Sequence, residues 1–387
     1  MSRQFPTAPP DGLIAAVLLA FLGTAGLFYV NIMAALVDGL QQGLHFSARD
    51  AGFVAAANVY GAAAGALSAV FFVARSPWRK VALAALLILI AIDLVSTRVL
   101  TPTLLICARF AHGLVGGFLV GTAFAVIART RTPDRVFGML LVVQFGFGGI
   151  GLAVLPRLVA AFGTPVLFLA LALFSLVTLL LLPFLDAYPR RPIEAERAGG
   201  PNKTRRAPLM AALLSVFLFQ AANMGLAAYV IGLGRTFGLG ANVISGTLGV
   251  ANWISAFGSV AVVVLGLRYG RTAPLTLGLV AAIAGTALFL LSGQVWAYAA
   301  ANVISGVAWS MVIAYLLGLC AACDDGGRSA ALAGFFSKMG LATGPALAAV
   351  LLQETHYKRL VILALAGLAL TLVAAFRPAR ELDHRVS

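Results

Sequence analysis

Charged side chains are what this sequence has least of. Only 10% of its 387 residues are Asp, Glu, Lys or Arg, and just 13 of them are acidic. A soluble chain carries about 25% charged residues, so a water-covered fold is excluded. Cysteine is nearly absent as well. Cys107, Cys320 and Cys323 are too few for a disulfide framework. Cys320-Ala-Ala-Cys323 has redox or metal spacing, but it ends an apolar run with no histidine beside it. It reads as a pair of small helix-packing residues. Also missing are a phosphate-cradling glycine loop, a His-Glu zinc motif, paired catalytic carboxylates and a nucleophile triad. Nothing here would bind a nucleotide, which excludes an ATP-driven pump. The expectation is a non-enzyme with no cofactor and no metal site.

What the sequence has in abundance is apolar length. It is 61% hydrophobic, with a mean hydropathy of +1.00. The formal net charge of +14 suggests nucleic acid, but the basic residues lie in short loops between apolar runs and form no polar face. Nucleic acid is therefore not an expected partner; the lipid bilayer is. With roughly 20 apolar residues needed per crossing, twelve spans are predicted: 12–37, 51–74, 80–97, 102–128, 136–159, 165–185, 208–233, 243–266, 273–292, 295–319, 328–352 and 359–376. The first run is expected to stay as a span, since no small-residue cleavage site in a polar context follows it. Backbone groups in lipid must be satisfied within the segment, which makes the spans helices.

Orientation follows from loop charge. With a cytoplasmic N-terminus, 19 Lys and Arg residues fall on the inner side and six on the outer. Both termini are therefore expected in the cytoplasm of a cell whose inner membrane holds the protein. One connection is long, polar and basic: Asp186 to Ala207. It separates residues 1–185 from residues 208–387, two predicted six-helix bundles. The halves resemble one another. At an offset of 194, Ala57-Asn58 faces Ala251-Asn252, Gly52 faces Gly246, Gln144 faces Lys338, and Gly146 faces Gly340; at 193, Arg109 faces Asn302. A parallel six-plus-six repeat is the sequence form of a carrier with its binding site between two bundles.

Lys338 stands out. It lies near the middle of an apolar run from Ala331 to Leu352. A charge at that depth costs about 2.5–3.5 kcal/mol on insertion scales, normally offset by a cavity, a partner or a ligand. The run's near end is about ten residues, or roughly 15 Å of helix, from Lys338, too far for snorkelling. Arg109 is the second cation within a span. Asp93 is expected to pair with Arg98 at the outer rim, and Asp38 to be solvated near the end of the first span. Both cations are therefore expected to lack a carboxylate at their depth. His112, three residues from Arg109, shares its helix face. It is either a proton site or a hydrogen-bonding core residue. Asp38 is the second proton-coupling candidate. It would form a polar stripe with Asn31 and Thr24, each seven residues apart. Glycines four apart, Gly61/Gly65, Gly113/Gly117/Gly121 and Gly340/Gly344, allow helices close approach.

The run Arg109-Phe-Ala-His112-Gly113-Leu-Val-Gly116-Gly117, the twelve spans, the long central loop and the half repeat together resemble the major facilitator superfamily over the whole chain. The resemblance implies an all-α membrane protein of two six-helix bundles related by a pseudo-two-fold axis, working by alternating access. It implies that the first, fourth, seventh and tenth spans line the cavity. Tyr29, Asn31, Arg109, Gln220, Asn223, Asn302 and Trp309 are then candidate substrate contacts, joined by Lys338 and by its repeat mate Gln144. Arg75, Arg79, Arg268 and Arg271 match the basic part of the family's inner loop motif and are expected to gate. Ala69 and Leu267 stand where that motif has Asp. The fifth span lacks the Gly-Pro string of drug/proton antiporters. The expectation is a secondary active transporter, a monomer, moving a small organic anion of the mono- or dicarboxylate class by exchange or proton coupling. The alternative is a proton-coupled drug or metabolite exporter.

Overall fold

The computed structural model describes residues 7–10, 12–72, 77–131, 133–188, 206–265, 268–323, 328–352 and 357–383. Among them the secondary structure is helical apart from one isolated bridge, Arg268–Gly270. The first predicted span is three pieces: α1 (Leu13–Ala25), α2 (Phe28–Asn31) and α3 (Met33–Gly43). Single helices follow for the second to sixth spans: α4 (Ala48–Phe72), α5 (Trp78–Ser96), α6 (Pro102–Ile127), α7 (Pro133–Phe162) and α8 (Pro165–Leu181). The seventh span is two pieces, α9 (Arg206–Ala227) and α10 (Val230–Thr236). The rest are α11 (Ala241–Leu265), α12 (Thr272–Leu288), α13 (Val295–Ala321), α14 (Arg328–Leu351) and α15 (Tyr357–Asp383). Ten of these helices are long and apolar enough to cross a membrane, and the all-α membrane fold expected from the sequence is the one observed.

The breaks at Ile32 and Tyr229 share a form. Ile32, between α2 and α3, has φ −111° and ψ 16°; Tyr229, between α9 and α10, has φ −115° and ψ 10°. The first and seventh spans thus break at residues of like backbone conformation. The break also corrects the expected stripe of Thr24, Asn31 and Asp38, because a seven-residue ruler holds only along one continuous helix. Elsewhere the helix ends follow residue chemistry. Gly163 (φ +80°) and Gly238 (φ +82°) take the left-handed conformation that ends α7 and α10. Pro102 and Pro165 open α6 and α8, where a missing N–H costs nothing.

Contacts divide the chain into two compact units: Met1–Phe46 with Ala57–Glu194, and Ser47–Ala56 with Ala195–Ser387. In the first, α4 and α6 touch backbone to backbone. A methyl on Gly61 would overlap the Phe110 carbonyl, and one on Gly65 that of Leu114; reciprocally, Gly113 meets the Asn58 carbonyl and Gly117 that of Ala62. In the second, Gly340 meets the Phe217 carbonyl, and Gly344 that of Ala221. This is why the glycines recur every fourth residue. Cys320 and Cys323 sit in the second unit's apolar core among Leu316, Leu319 and Val312, as small packing residues do.

Asp383, at the end of α15, holds the start of α12. Its carboxylate accepts from the backbone N–H of Arg271 (2.8 and 3.0 Å), the N–H of Thr272 (2.8 Å) and the Thr272 hydroxyl (2.6 Å). An acid from the last helix thus caps an N-terminus whose preceding loop lacks one. Asp383→Ala is expected to cost about 1 kcal/mol, the usual worth of a helix cap, read as a lower unfolding temperature in detergent. An unchanged temperature would show the cap to be dispensable.

Candidate functional site

The first unit contains a buried polar cluster at the level of Arg109. Arg109 on α6 is fully buried. Its Nη1 donates to Asp93 Oδ1 on α5 at 2.7 Å, with neither side chain exposed. Its Nη2 donates to the Ser96 hydroxyl and to the Ile92 carbonyl, and its guanidinium lies 5.0 Å from the centre of the Phe168 ring on α8. Two expectations are corrected. Asp93 is no rim residue but a buried counter-ion, and Arg109 is not an uncompensated cation. The sixteen-residue separation conceals the pair, because a loop turn brings α5 and α6 side by side. Buried charges persist where they are paired and hydrogen-bonded.

His112 belongs to the same cluster. Asn58 Nδ2 on α4 reaches both the Arg109 carbonyl (3.2 Å) and His112 Nδ1 (2.9 Å). An amide nitrogen only donates, so Nδ1 accepts and the ring hydrogen is on Nε2. That nitrogen faces Asp93 Oδ2 at 3.3 Å. A proton arriving at Nδ1 would have to displace the Asn58 amide. Tyr29 on α2 is buried, with its ring 6.1 Å from that of His112. Its hydroxyl and Arg109 Nε find no hydrogen-bond partner among the described residues.

The second unit places Lys338 differently. It is half-buried on α14 and makes no ion pair or hydrogen bond with any described residue. The backbone beside it is tightly located, because Gly340 and Gly344 press α14 against α9. A hydrogen-bond chain ends on the residue before it, Ser337. Trp309 Nε1 on α13 donates to Gln220 Oε1 on α9 at 2.8 Å, and Gln220 Nε2 donates to Ser337 Oγ on α14 at 2.8 Å. Gln220 is buried, and both ends of its amide are engaged in tying three helices together. Ser337 escaped the sequence reading, which weighed only the charge beside it; a hydroxyl adjoining a span's lone cation was the available signal.

The other predicted residues have partners of their own. Asn223 and Asn302 are half-buried and donate to the carbonyls four residues back, Phe219 and Tyr298, each at 2.8 Å. Their side-chain oxygens are not used in those bonds. Asn31 donates to the Gln144 carbonyl at 3.5 Å, which brings these two candidates together in the first unit. Asp38 is 4% exposed, which corrects the expectation of a solvated rim carboxylate. Of the four expected gating residues, Arg75 lies outside the described residues. Arg79 donates to the Leu185 carbonyl, Arg268 N–H to Leu265 O, and Arg271 N–H to Asp383. Among the described residues no group of three metal-ligating side chains occurs.

Comparison with known proteins agrees with this architecture. The family model described as Major Facilitator Superfamily matches residues 13–323. No curated protein matches the sequence. Among solved structures, the fold is similar to a crystal structure of a mutant of the nucleoside transporter NupG. The TM-score is 0.70 at 15% identity, with 94% of this chain and 98% of that one covered. At that identity the likeness is one of fold.

Proposed function

The chain belongs to the major facilitator superfamily, and from that premise we propose that it is a secondary active transporter of a small organic anion, of the mono- or dicarboxylate class. The observation that carries the reading is Lys338, an ammonium at mid-span with no described counter-charge. A ligand carboxylate would offset its cost and make charge-assisted hydrogen bonds to it. The Arg109–Asp93 pair narrows the reading, because Arg109 has its negative charge already. Anion binding then depends chiefly on Lys338, with Asn223 and Asn302 of the same unit as neutral contacts. Coupling is by exchange or by proton symport. In the exchange case, a cavity holding a lone ammonium resists closure until an anion fills it. The chain would work as a monomer in the cell inner membrane, both termini cytoplasmic, its halves rocking as two six-helix bundles.

The test is uptake of lactate and succinate by the reconstituted protein. Lys338→Ala is expected to weaken uptake roughly 10- to 100-fold, the worth of a charge-assisted hydrogen bond; Lys338→Arg should keep most of it. Unchanged uptake in Lys338→Ala would overturn the anion class. The solved neighbour is named for nucleosides, which are uncharged, and transport of such a substrate would be indifferent to Lys338→Ala. A second reading, a proton-coupled exporter, is favoured by the buried Asp93–Arg109–His112 cluster. It predicts resistance to lipophilic cations on expression.

A further inference from the structure

Lys338 has a neighbour whose hydrogen-bonding role is set by chemistry alone. The indole of Trp309 has one polar group, an N–H, and it can only donate. The atom of Gln220 that faces it at 2.8 Å is therefore the amide oxygen. That fixes the amide orientation, and the NH2 group is left to face Ser337. An NH2 group only donates, so the Ser337 oxygen accepts. Its single hydrogen is then committed to neither neighbour in the chain, and it donates to no described residue. Lys338, the next residue, cannot take it, because an ammonium has no acceptor. The chain runs one way, from indole to amide to hydroxyl, and bonds aligned in series polarise one another. At its end a hydroxyl 9% exposed holds an unspent donor, one residue before a half-buried ammonium that pairs with no described residue.

We propose that Ser337 is a substrate-binding residue, its hydroxyl donating to the same anionic group that Lys338 neutralises. Trp309 and Gln220 are then positioning residues that orient and polarise it. Among the described residues neither group has an acceptor. A carboxylate has two oxygens with about four lone-pair sites, enough for the ammonium and the hydroxyl together. A neutral hydroxyl or amide ligand would satisfy Ser337 but leave Lys338 without a counter-charge. The inference rests on the anion reading of the same site, and it adds a specific second contact. Gln220, placed among the ligand contacts by the sequence, acts through Ser337.

The experiment compares lactate and succinate uptake by the full-length reconstituted protein in wild type, Ser337→Ala, Ser337→Thr, Trp309→Phe, the Ser337→Ala/Trp309→Phe double variant and Lys338→Ala. Unfolding temperatures are measured alongside. Ser337→Ala is expected to raise KM about tenfold, the loss of one hydrogen bond to a charged acceptor, with little change in maximal rate or unfolding temperature. Ser337→Thr keeps the hydroxyl and should restore KM. Trp309→Phe should raise KM about threefold by removing the head of the polarised chain. In the double variant it should add nothing to Ser337→Ala, because the chain acts only through that hydroxyl. Unchanged KM in Ser337→Ala, with uptake lost in Lys338→Ala, would overturn the Ser337 contact and leave the anion reading standing. Unchanged uptake in both would overturn the anion reading itself. A lower unfolding temperature without a KM change would make the hydroxyl purely structural and overturn the proposal. Additive effects in the double variant would overturn the chain.

Discussion

Asp93→Ala is expected to destabilise the protein by about 3–5 kcal/mol, the cost of stranding one member of a buried ion pair. Arg109 would keep its positive charge, because a guanidinium does not give up its proton in a protein. Its remaining partners, the Ser96 hydroxyl and the Ile92 carbonyl, are neutral, and the Phe168 ring face is only weakly attractive to a cation. The unpaired charge would stay at a depth where neither side chain shows any exposure. The measurement is thermal unfolding of detergent-purified protein, with membrane yield as a second readout. Asp93→Asn should fall between wild type and Asp93→Ala, because an amide retains an acceptor for Nη1 but supplies no charge. Adding Arg109→Met to Asp93→Ala should recover part of the loss, since two well-packed neutral side chains can replace a buried pair at little cost. An Asp93→Ala protein that unfolds at the wild-type temperature would show that the pair contributes nothing to stability. A double variant no better than the single would place the cost in Arg109's packing, not its charge.

The second large effect is expected at Gly113. Its Cα faces the Asn58 carbonyl so closely that a methyl group would overlap the oxygen. The obstructing atoms are backbone, which cannot rotate aside as a side chain can, so α4 and α6 would have to separate. Gly61, Gly65 and Gly117 make the same kind of contact along one seam, so a shift at one is felt at all four. Gly113→Ala should cost about 1–3 kcal/mol or more, the range for overpacking. Gly146→Ala is the control. A methyl there meets nothing within 4 Å, and alanine is the better helix former by about 1 kcal/mol, so that variant should be neutral or slightly more stable. Equal stability of the two variants would mean that the seam is not a constraint. Gly113→Ala also bears on the polar cluster: moving Asn58 would lengthen its 2.9 Å bond to His112 and release the imidazole from its Nε2–H form.

Much of the fold could be read from residues in order, because lipid makes local demands. A crossing needs a minimum apolar length, and its backbone must bond to itself. Both conditions show in a single stretch of sequence. The halves were legible through matched pairs such as Asn58 with Asn252, and the close-packed seams through glycines four apart. The breaks at Ile32 and Tyr229 were not legible, since neither position carries a proline or glycine. Only a continuous first helix would align Thr24, Asn31 and Asp38 in one polar stripe, and the first span is broken into three pieces.

The candidate site divides along the same line. That Lys338 sits in the membrane follows from the sequence alone: a charge within a long apolar run is conspicuous without knowing its neighbours. Whether such a charge has a partner is a question about other helices. For Arg109 the partner was Asp93, assigned to a rim pair with Arg98 because Arg98 was nearer along the chain. For Gln220 both amide groups were engaged by Trp309 and Ser337, on helices 89 and 117 residues away. The membrane fold, and the presence of two cations within apolar runs, follow from the sequence, because hydropathy and periodicity accumulate along one stretch of chain. Only the tertiary structure decided that one cation is neutralised and the other stands without a described counter-charge, because electrostatic compensation acts across a few ångströms of space between residues the sequence keeps far apart.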